Sequence, residues 1–358
     1  MRWWHRLGLL ALGLSSCGAS CGQQSLGIMP GVFNDAEHRT LRRDFLGFAI
    51  DEICPQVLRQ TIPLRLRGAD PSTGRFFPTS CEVTELGNEK NLFVQLTGHG
   101  YAWNNVTGRL GFEAVAKAEY EHDFLLDGST MYVYFRERHV QTSGFTPLLV
   151  ERAADPPSQV TQILGTDMAT AAKQIGEVVL TGQLRRGFTA VREPDGTTRV
   201  AVGMLPVGEQ PFEPFGMEDS SWPVLVNDRT ELHTGQADFA GPFTVEGGDA
   251  LWLTALVEGA PAVDVLVYTK AAAMPWIAAY ERQANAAPPP MPPPVFQQAV
   301  QASPGRPVPF RLPLRLPEGQ YVIVFDHSGV AGPTSPAAQP MDDRAALVSY
   351  AVQLGDPP

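Results

Sequence analysis

Asp326, His327 and Ser328 supply, in three adjacent positions, the residue types of an acyl-transfer triad: an orienting acid, a base and a nucleophile. A working triad needs three side chains that converge, whereas neighbours along a strand point alternately to opposite faces. Adjacency therefore argues against catalysis here, and no Gly-x-Ser-x-Gly turn stands elsewhere to present a nucleophile. The seven histidines never fall in His-x-His or His-x-x-x-His spacing, so zinc finds no adjacent ligand pair. His99 (in Gly98-His99-Gly100) and His122 (beside Asp123) read as lone histidines in turns, and His233 as a strand residue. Each is expected to be exposed or hydrogen-bonded for structural reasons.

Asp249, Asp264, Asp326 and the pair Asp342-Asp343 carry the hard oxygen donors that calcium uses. Calcium takes about six to eight oxygens, usually from one compact loop, and only Asp342 and Asp343 are neighbours. Gly108-Arg109-Leu110-Gly111 lacks the third glycine and the following helix that phosphate binding needs. The residues thus predict no catalytic residue, no metal and no cofactor, and a chain that is not an enzyme. An enzyme with scattered catalytic groups stands as an alternative.

Four cysteines, at 17, 21, 54 and 81, point to a compartment instead. Arg2, His5 and Arg6 make a basic head, followed by the apolar run Leu7 to Leu14 and then Ser15-Ser16-Cys17, the three-part layout of a secretory signal. The run is too short to span a bilayer, which takes about 20 apolar residues. Leu14-Ser15-Ser16-Cys17 resembles the lipobox of bacterial lipoproteins, and a plain signal peptide is the alternative. The resemblance implies cleavage after residue 16 and a diacylglycerol on the Cys17 thiol. It also implies the outer membrane, because neither Gly18 nor Ala19 is the acidic residue that retains such proteins at the inner membrane. Of the remaining cysteines, Cys54 and Cys81 form the natural disulfide in an oxidising compartment, closing a loop of about 27 residues.

Loss of Arg2 and Arg6 with the leader takes the formal charge from -11 to -13. An acidic chain repels phosphate backbones, so nucleic acid is excluded as a partner. Arg39, Arg42 and Arg43 are the closest approach to a basic cluster, and at helical spacing they read as a solvated face.

The elements that must position any site follow from periodicity. Residues 1–16 are the leader and 17–33 a tether rich in Gly, Ser and Gln. Residues 34–212 read as an α+β unit of two helices on an antiparallel sheet, 213–222 as a linker, and 223–358 as an all-β sandwich or jelly roll with a proline-rich insert at 285–309. The first helix is expected over about 35–53, with Leu41, Phe45, Phe48, Glu52 and Ile53 on one side and Pro55 ending or kinking it. Alternation by two then marks strands, most clearly from Leu110 to Tyr120, and Asp127-Gly128 supplies a hairpin turn. A second helix is expected over 158–175, followed by strands at GEVVLTG, GFTAVRE and TRVAVGML. Six prolines in the seven positions from Pro288 to Pro294 favour an extended polyproline II spacer.

Phe243 and Val245, then Gly319, Tyr321, Ile323, Phe325 and Asp326, resemble the strand signatures of the jelly-roll modules appended to secreted bacterial proteins. These include pre-peptidase C-terminal domains and the related Golgi-dynamics sandwich. The resemblance implies an auxiliary scaffold. In the first unit, Phe112 and Tyr120 flank Ala114, Ala116 and Ala118 on one strand face, leaving room for a packed helix or for a ligand such as a lipid chain. The expectation is a membrane-anchored envelope lipoprotein with a non-catalytic binding or structural role, held by its lipid and partnered by an envelope protein or glycan. The alternative is a carrier of a lipid or other hydrophobic ligand through Phe112, Ala114, Ala116, Ala118 and Tyr120.

Overall fold

The computed structural model describes residues 30–46, 50–67, 69–87, 91–152, 167–194, 198–217, 222–302, 307–334 and 345–357. Cys17 and the leader lie outside these residues, as do Asp342-Asp343 and the stretch 158–166 of the second expected helix. The described residues are mostly β, at 52% strand against 18% helix, so sheet packing sets the architecture. Among the described residues no helix is long and apolar enough to cross a membrane.

The first sheet is a seven-stranded meander in chain order: β1 (Ile62–Leu64), β2 (Gly74–Leu86), β3 (Asn91–Asn104), β4 (Gly108–Asp127), β5 (Thr130–Val150), β6 (Phe188–Arg192) and β7 (Thr198–Val202). All neighbours are antiparallel. The strand expected over 110–120 extends to 20 residues in β4, and β5 has 21. Strands this long cannot stay flat. Register shifts at Gly111/Phe112, Val115/Ala116 and Glu119/Tyr120 bend the β4–β5 pair, and the sheet curls into a half-barrel.

The trough of the half-barrel is filled by a helix. Ala172, Gly176, Leu180 and Leu184 repeat every four residues along α3 (Met168–Arg185), which follows α1 (Arg39–Leu46) and α2 (Ile50–Arg59), and all four are buried. Asp167 caps the helix by accepting from Thr170 N at 2.8 Å, and the Tyr120 hydroxyl donates to Leu184 O at 3.1 Å at the far end. Gly176 permits close approach: a Cβ there would lie 2.0 Å from the Phe145 ring. This corrects the expected strand at GEVVLTG, which belongs to α3. Its Val178-Val179 pair suggests a strand, but Val178 lies on the outer side of the helix, 69% exposed. Burial of the small face overrode local β preference.

The first expected helix is broken into a 3-10 turn (Ala36–His38), α1 (Arg39–Leu46) and α2 (Ile50–Arg59). The helix does not stop at Pro55, which lies inside α2, beside the Cys54–Cys81 disulfide that ties α2 to β2. Leu41, expected inward, is exposed, and Arg42 is buried, gripping both oxygens of Asp123 at 2.7 and 3.1 Å. Arg39 and Arg43 pair with Glu121, so this arginine cluster is a helix-to-sheet lock rather than a solvated face.

The C-terminal strands form two four-stranded antiparallel sheets, β13-β10-β15-β8 and β12-β11-β14-β9. Their ranges are β8 (Val224–Leu232), β9 (Gln236–Val245), β10 (Ala250–Glu258), β11 (Ala262–Thr269), β12 (Phe296–Gln301), β13 (Phe310–Leu314), β14 (Gly319–His327) and β15 (Ala346–Gly355). Alternate residues such as Leu251, Leu253, Val265, Ile323, Phe325 and Val352 form one core between the sheets. Val224 to Asn227 and Thr230 to Leu232 belong to one strand, β8. The proline-rich insert bends at residues 290–292 instead of running straight, and its end, Phe296–Gln301, pairs with β11 as β12. Helix α4 (Lys270–Tyr280) covers the outer face of the second sheet: Ala273, Trp276 and Ile277 pack with Leu266, Tyr268 and Val324, and also with Phe77 and Tyr101 of the first sheet.

Candidate functional site

Alternation along β2 sends Phe76 into the trough core and leaves Arg75 and Phe77 facing the paired sheets. Gly74 lets β2 press against β3, since a Cβ there would meet Tyr101 O at 2.1 Å. Arg75 reaches the end of the core between the two C-terminal sheets. Its Nε and Nη2 each donate to one oxygen of Asp238 at 2.6 Å, and Nη2 also donates to the Tyr350 hydroxyl at 2.6 Å. The Tyr101 hydroxyl donates to the same carboxylate at 2.7 Å and accepts from Phe239 N at 3.1 Å.

Burial, the largest influence, pulls the Arg75 pKa down, but the charge and hydrogen bonds of Asp238 together with Tyr350 and Tyr101 more than offset it and hold the guanidinium well above the ordinary arginine range. Burial, followed by the Asp238 charge, pushes the Tyr101 phenol well up, and burial raises Tyr350. None of these groups is poised to titrate near neutrality.

Around this centre the contacts are also internal. Arg65 pairs with Asp228, and Ser72 exchanges backbone hydrogen bonds with Arg229 O (2.8 Å) and Glu231 N (2.9 Å), extending the edge of β8. Arg109 lies 3.8 Å over the Tyr280 ring and donates to Gln283 O and Ala284 O at 2.9 and 2.5 Å. His99 Nδ1 stands 2.6 Å from Glu281 Oε1, whose carboxyl burial raises despite the opposing His99 contact. Trp103 stacks on His233 with ring centroids 3.4 Å apart, and His233 Nε2 contacts Glu231 at 2.8 Å. A small cavity at the seam is lined by Thr73, Tyr101, Trp103, Arg109, Gln236 and Tyr280. The arrangement can fix two parts of the chain in one orientation.

The residues singled out in the sequence fall as follows. Cys54 and Cys81 are bonded. Phe112, Ala114, Ala116, Ala118 and Tyr120 share the trough face and are buried beneath α3 with Phe145, Leu180 and Leu184. His99 and His122 are strand residues, not turn residues, because β3 and β4 run through both positions. Asn105-Val106-Thr107 forms a turn. Asp326 and Ser328 bond to each other at 2.7 Å, and alternation turns His327 to the other side of β14, so no triad assembles. Asp264 and Asp326, far apart in sequence, are cross-strand neighbours. Among the described residues no group of three or more His, Cys, Asp or Glu could hold a metal ion.

Arg75, Tyr101, Asp238 and Tyr350 were missed. A usable signal existed at Asp238 and Asp264, single acids inside the apolar runs ADFA and AVDVLVY, where a buried charge requires a partner. Nothing local identifies that partner. No family model matches the sequence, and no curated protein matches it significantly.

Proposed function

We propose that the protein is a lipoprotein of the bacterial outer membrane, delivered by a leader at residues 1–16, anchored through acylated Cys17, and serving a non-catalytic binding or structural role in the envelope. The observation that carries this reading is the apolar run Leu7 to Leu14 placed directly before Leu14-Ser15-Ser16-Cys17. The Cys54–Cys81 disulfide supports it, since such bonds persist in oxidising compartments. In this reading residues 34–212 are the α+β unit next to the tether. Residues 223–358 are a sandwich of the pre-peptidase C-terminal or Golgi-dynamics type, offering a face to an envelope protein or glycan. The buried Arg75–Asp238 contact gives the structural role its physical basis, because it resists reorientation of that face.

The carrier reading stands second. One observation favours it: an apolar pocket at the end of the trough, lined by Leu64, Leu66, Trp103, Phe112, Ile175 and Val179. Against it, α3 occupies the rest of the trough, and a lipid chain would have to displace that helix.

Growth on labelled palmitate tests the anchor. The wild type should take up label and fractionate with the outer membrane, and Cys17→Ser should do neither. Unchanged processing and retention of Cys17→Ser would end the proposal, and a lipid in the mass spectrum of an extract of purified protein would favour the carrier.

A further inference from the structure

Asp264 on β11 and Asp326 on β14 stand directly opposite each other, and both are fully buried. Their chain neighbours Val265 and Phe325 point into the core between the sheets, so alternation places both carboxyl groups on the α4 side. Residues so paired hold their Cβ atoms about 4.5–5.5 Å apart. The charge acting on Asp326 is that of Asp264, of the same sign. Two buried carboxylates at this spacing require something positive between them.

Among the described residues, the neighbours in register and on α4 supply no cation. Ala299 on β12 and Ala237 on β9 are the outer neighbours in register, and α4 contributes Ala273 and Trp276 to this side. Tyr268 is the nearby titratable group, its phenol raised by burial and by Asp326. The 328–334 segment covers the pair. Ser328 donates to Asp326 from its hydroxyl at 2.7 Å and its backbone N at 3.2 Å, and Thr334 donates to Asp264 Oδ2 from its hydroxyl and from its N at 2.9 Å. Asp264 Oδ1 is buried with no hydrogen-bond partner. Gly332 is packed so closely on Asp264 that a Cβ would fall 2.0 Å from its Cγ. A metal ion with its oxygen shell does not fit where that backbone sits, whereas a proton needs no volume.

We propose that Asp326 holds a proton in mildly acidic conditions opposite Asp264, and that its loss, which leaves a buried charge whose desolvation outweighs the Ser328 hydrogen bonds, loosens the 328–334 segment, making it a pH-sensitive latch over the α4 cluster. Burial, opposed by Ser328 and reinforced by Asp264, moves the Asp326 carboxyl up to about 6, which places the change near that pH. The folded chain then binds a proton that the unfolded chain has already lost. Stability falls as pH rises from about 4 to about 6 and is level above. Release would free Ala331 from the aromatic cluster of Tyr268 and Trp276.

The test uses the full chain and Asp326→Asn, whose amide keeps an acceptor for Ser328 and can donate to Asp264 Oδ1. Hydrogen exchange of residues 328–334, corrected for intrinsic rates, should show about tenfold lower protection at pH 7.5 than at pH 5 in the wild type, the change expected when a carboxyl that titrates at about 6 starts one unit below that pH. Asp326→Asn should keep the pH 5 protection at both values. Should that variant fail to fold, Ser328→Ala removes a bond that favours the carboxylate and should move the wild-type transition to higher pH. Equal protection at both pH values in the wild type, or an unmoved transition in Ser328→Ala, overturns the latch. Calcium that restores wild-type protection at pH 7.5, but has no effect on Asp326→Asn, would show that the pair holds a metal and not a proton.

Discussion

Arg75 and Asp238 meet in a two-pronged ion pair, each prong 2.6 Å long, across 163 residues of sequence and out of reach of solvent. The guanidinium fork matches the carboxylate, and Tyr101 and Tyr350 satisfy remaining hydrogen-bonding positions. Such a pair contributes little net stability when complete, yet it is costly to break, because the survivor is left charged and buried.

Arg75→Ala should therefore destabilise the fold by about 3–5 kcal/mol. Replacing both partners, Arg75→Met with Asp238→Leu, should recover most of that loss. Urea unfolding of the single and double variants measures both; a double variant no better than Arg75→Ala would show that the fork itself supplies net stability.

Removing the Cys54–Cys81 bond frees a loop with a sequence separation of 27. Chain entropy values this at roughly 3 kcal/mol, so Cys54→Ala with Cys81→Ala should lower the urea midpoint by a corresponding amount. Reduction of the wild type should give the same shift.

Gly176 and Phe145 set the spacing of α3 in the trough. Gly176→Val forces the helix away from the ring and should cost about 1–3 kcal/mol. On the opposite side, Val178→Lys should change stability by less than about 0.5 kcal/mol. Thermal denaturation of the two variants compares them, and equal effects would mean that the helix is not held by this contact.

His122 gives stability a pH dependence of opposite sign to Asp326. Burial, then the Arg43 charge, lowers its pKa in the fold, so below about 6.5 the unfolded chain binds a proton that the folded chain refuses. Stability should fall as the medium is acidified through that range. His122→Leu should flatten part of this slope, with His327, also lowered by burial, retaining the rest. Urea midpoints between pH 7 and pH 5 give the comparison.

Much of the strand layout was legible in the residues because it is local. Alternation by two located β4, Asp127-Gly128 marked its hairpin to β5, where Gly128 has φ 56°, and the cysteine count left one natural disulfide. The helices were less legible. A short apolar run such as Val178-Val179-Leu180 satisfies both a strand and a buried helix, and only the width of the trough selected the face built on Gly176 and Leu180. Leu41 and Arg42 show the same limit: hydrophobicity places leucine inward, yet Asp123 on a strand 81 residues later offered Arg42 a buried partner.

By themselves, then, the residues determined period, turn and cross-link, each a matter of near neighbours and chain chemistry. Which charges would be buried together was decided by the folded chain, in which Arg75 finds Asp238 and Arg42 finds Asp123. The physical reason is that a buried charge is tolerated only beside its complement, and sequence separation carries no information about where that complement will stand.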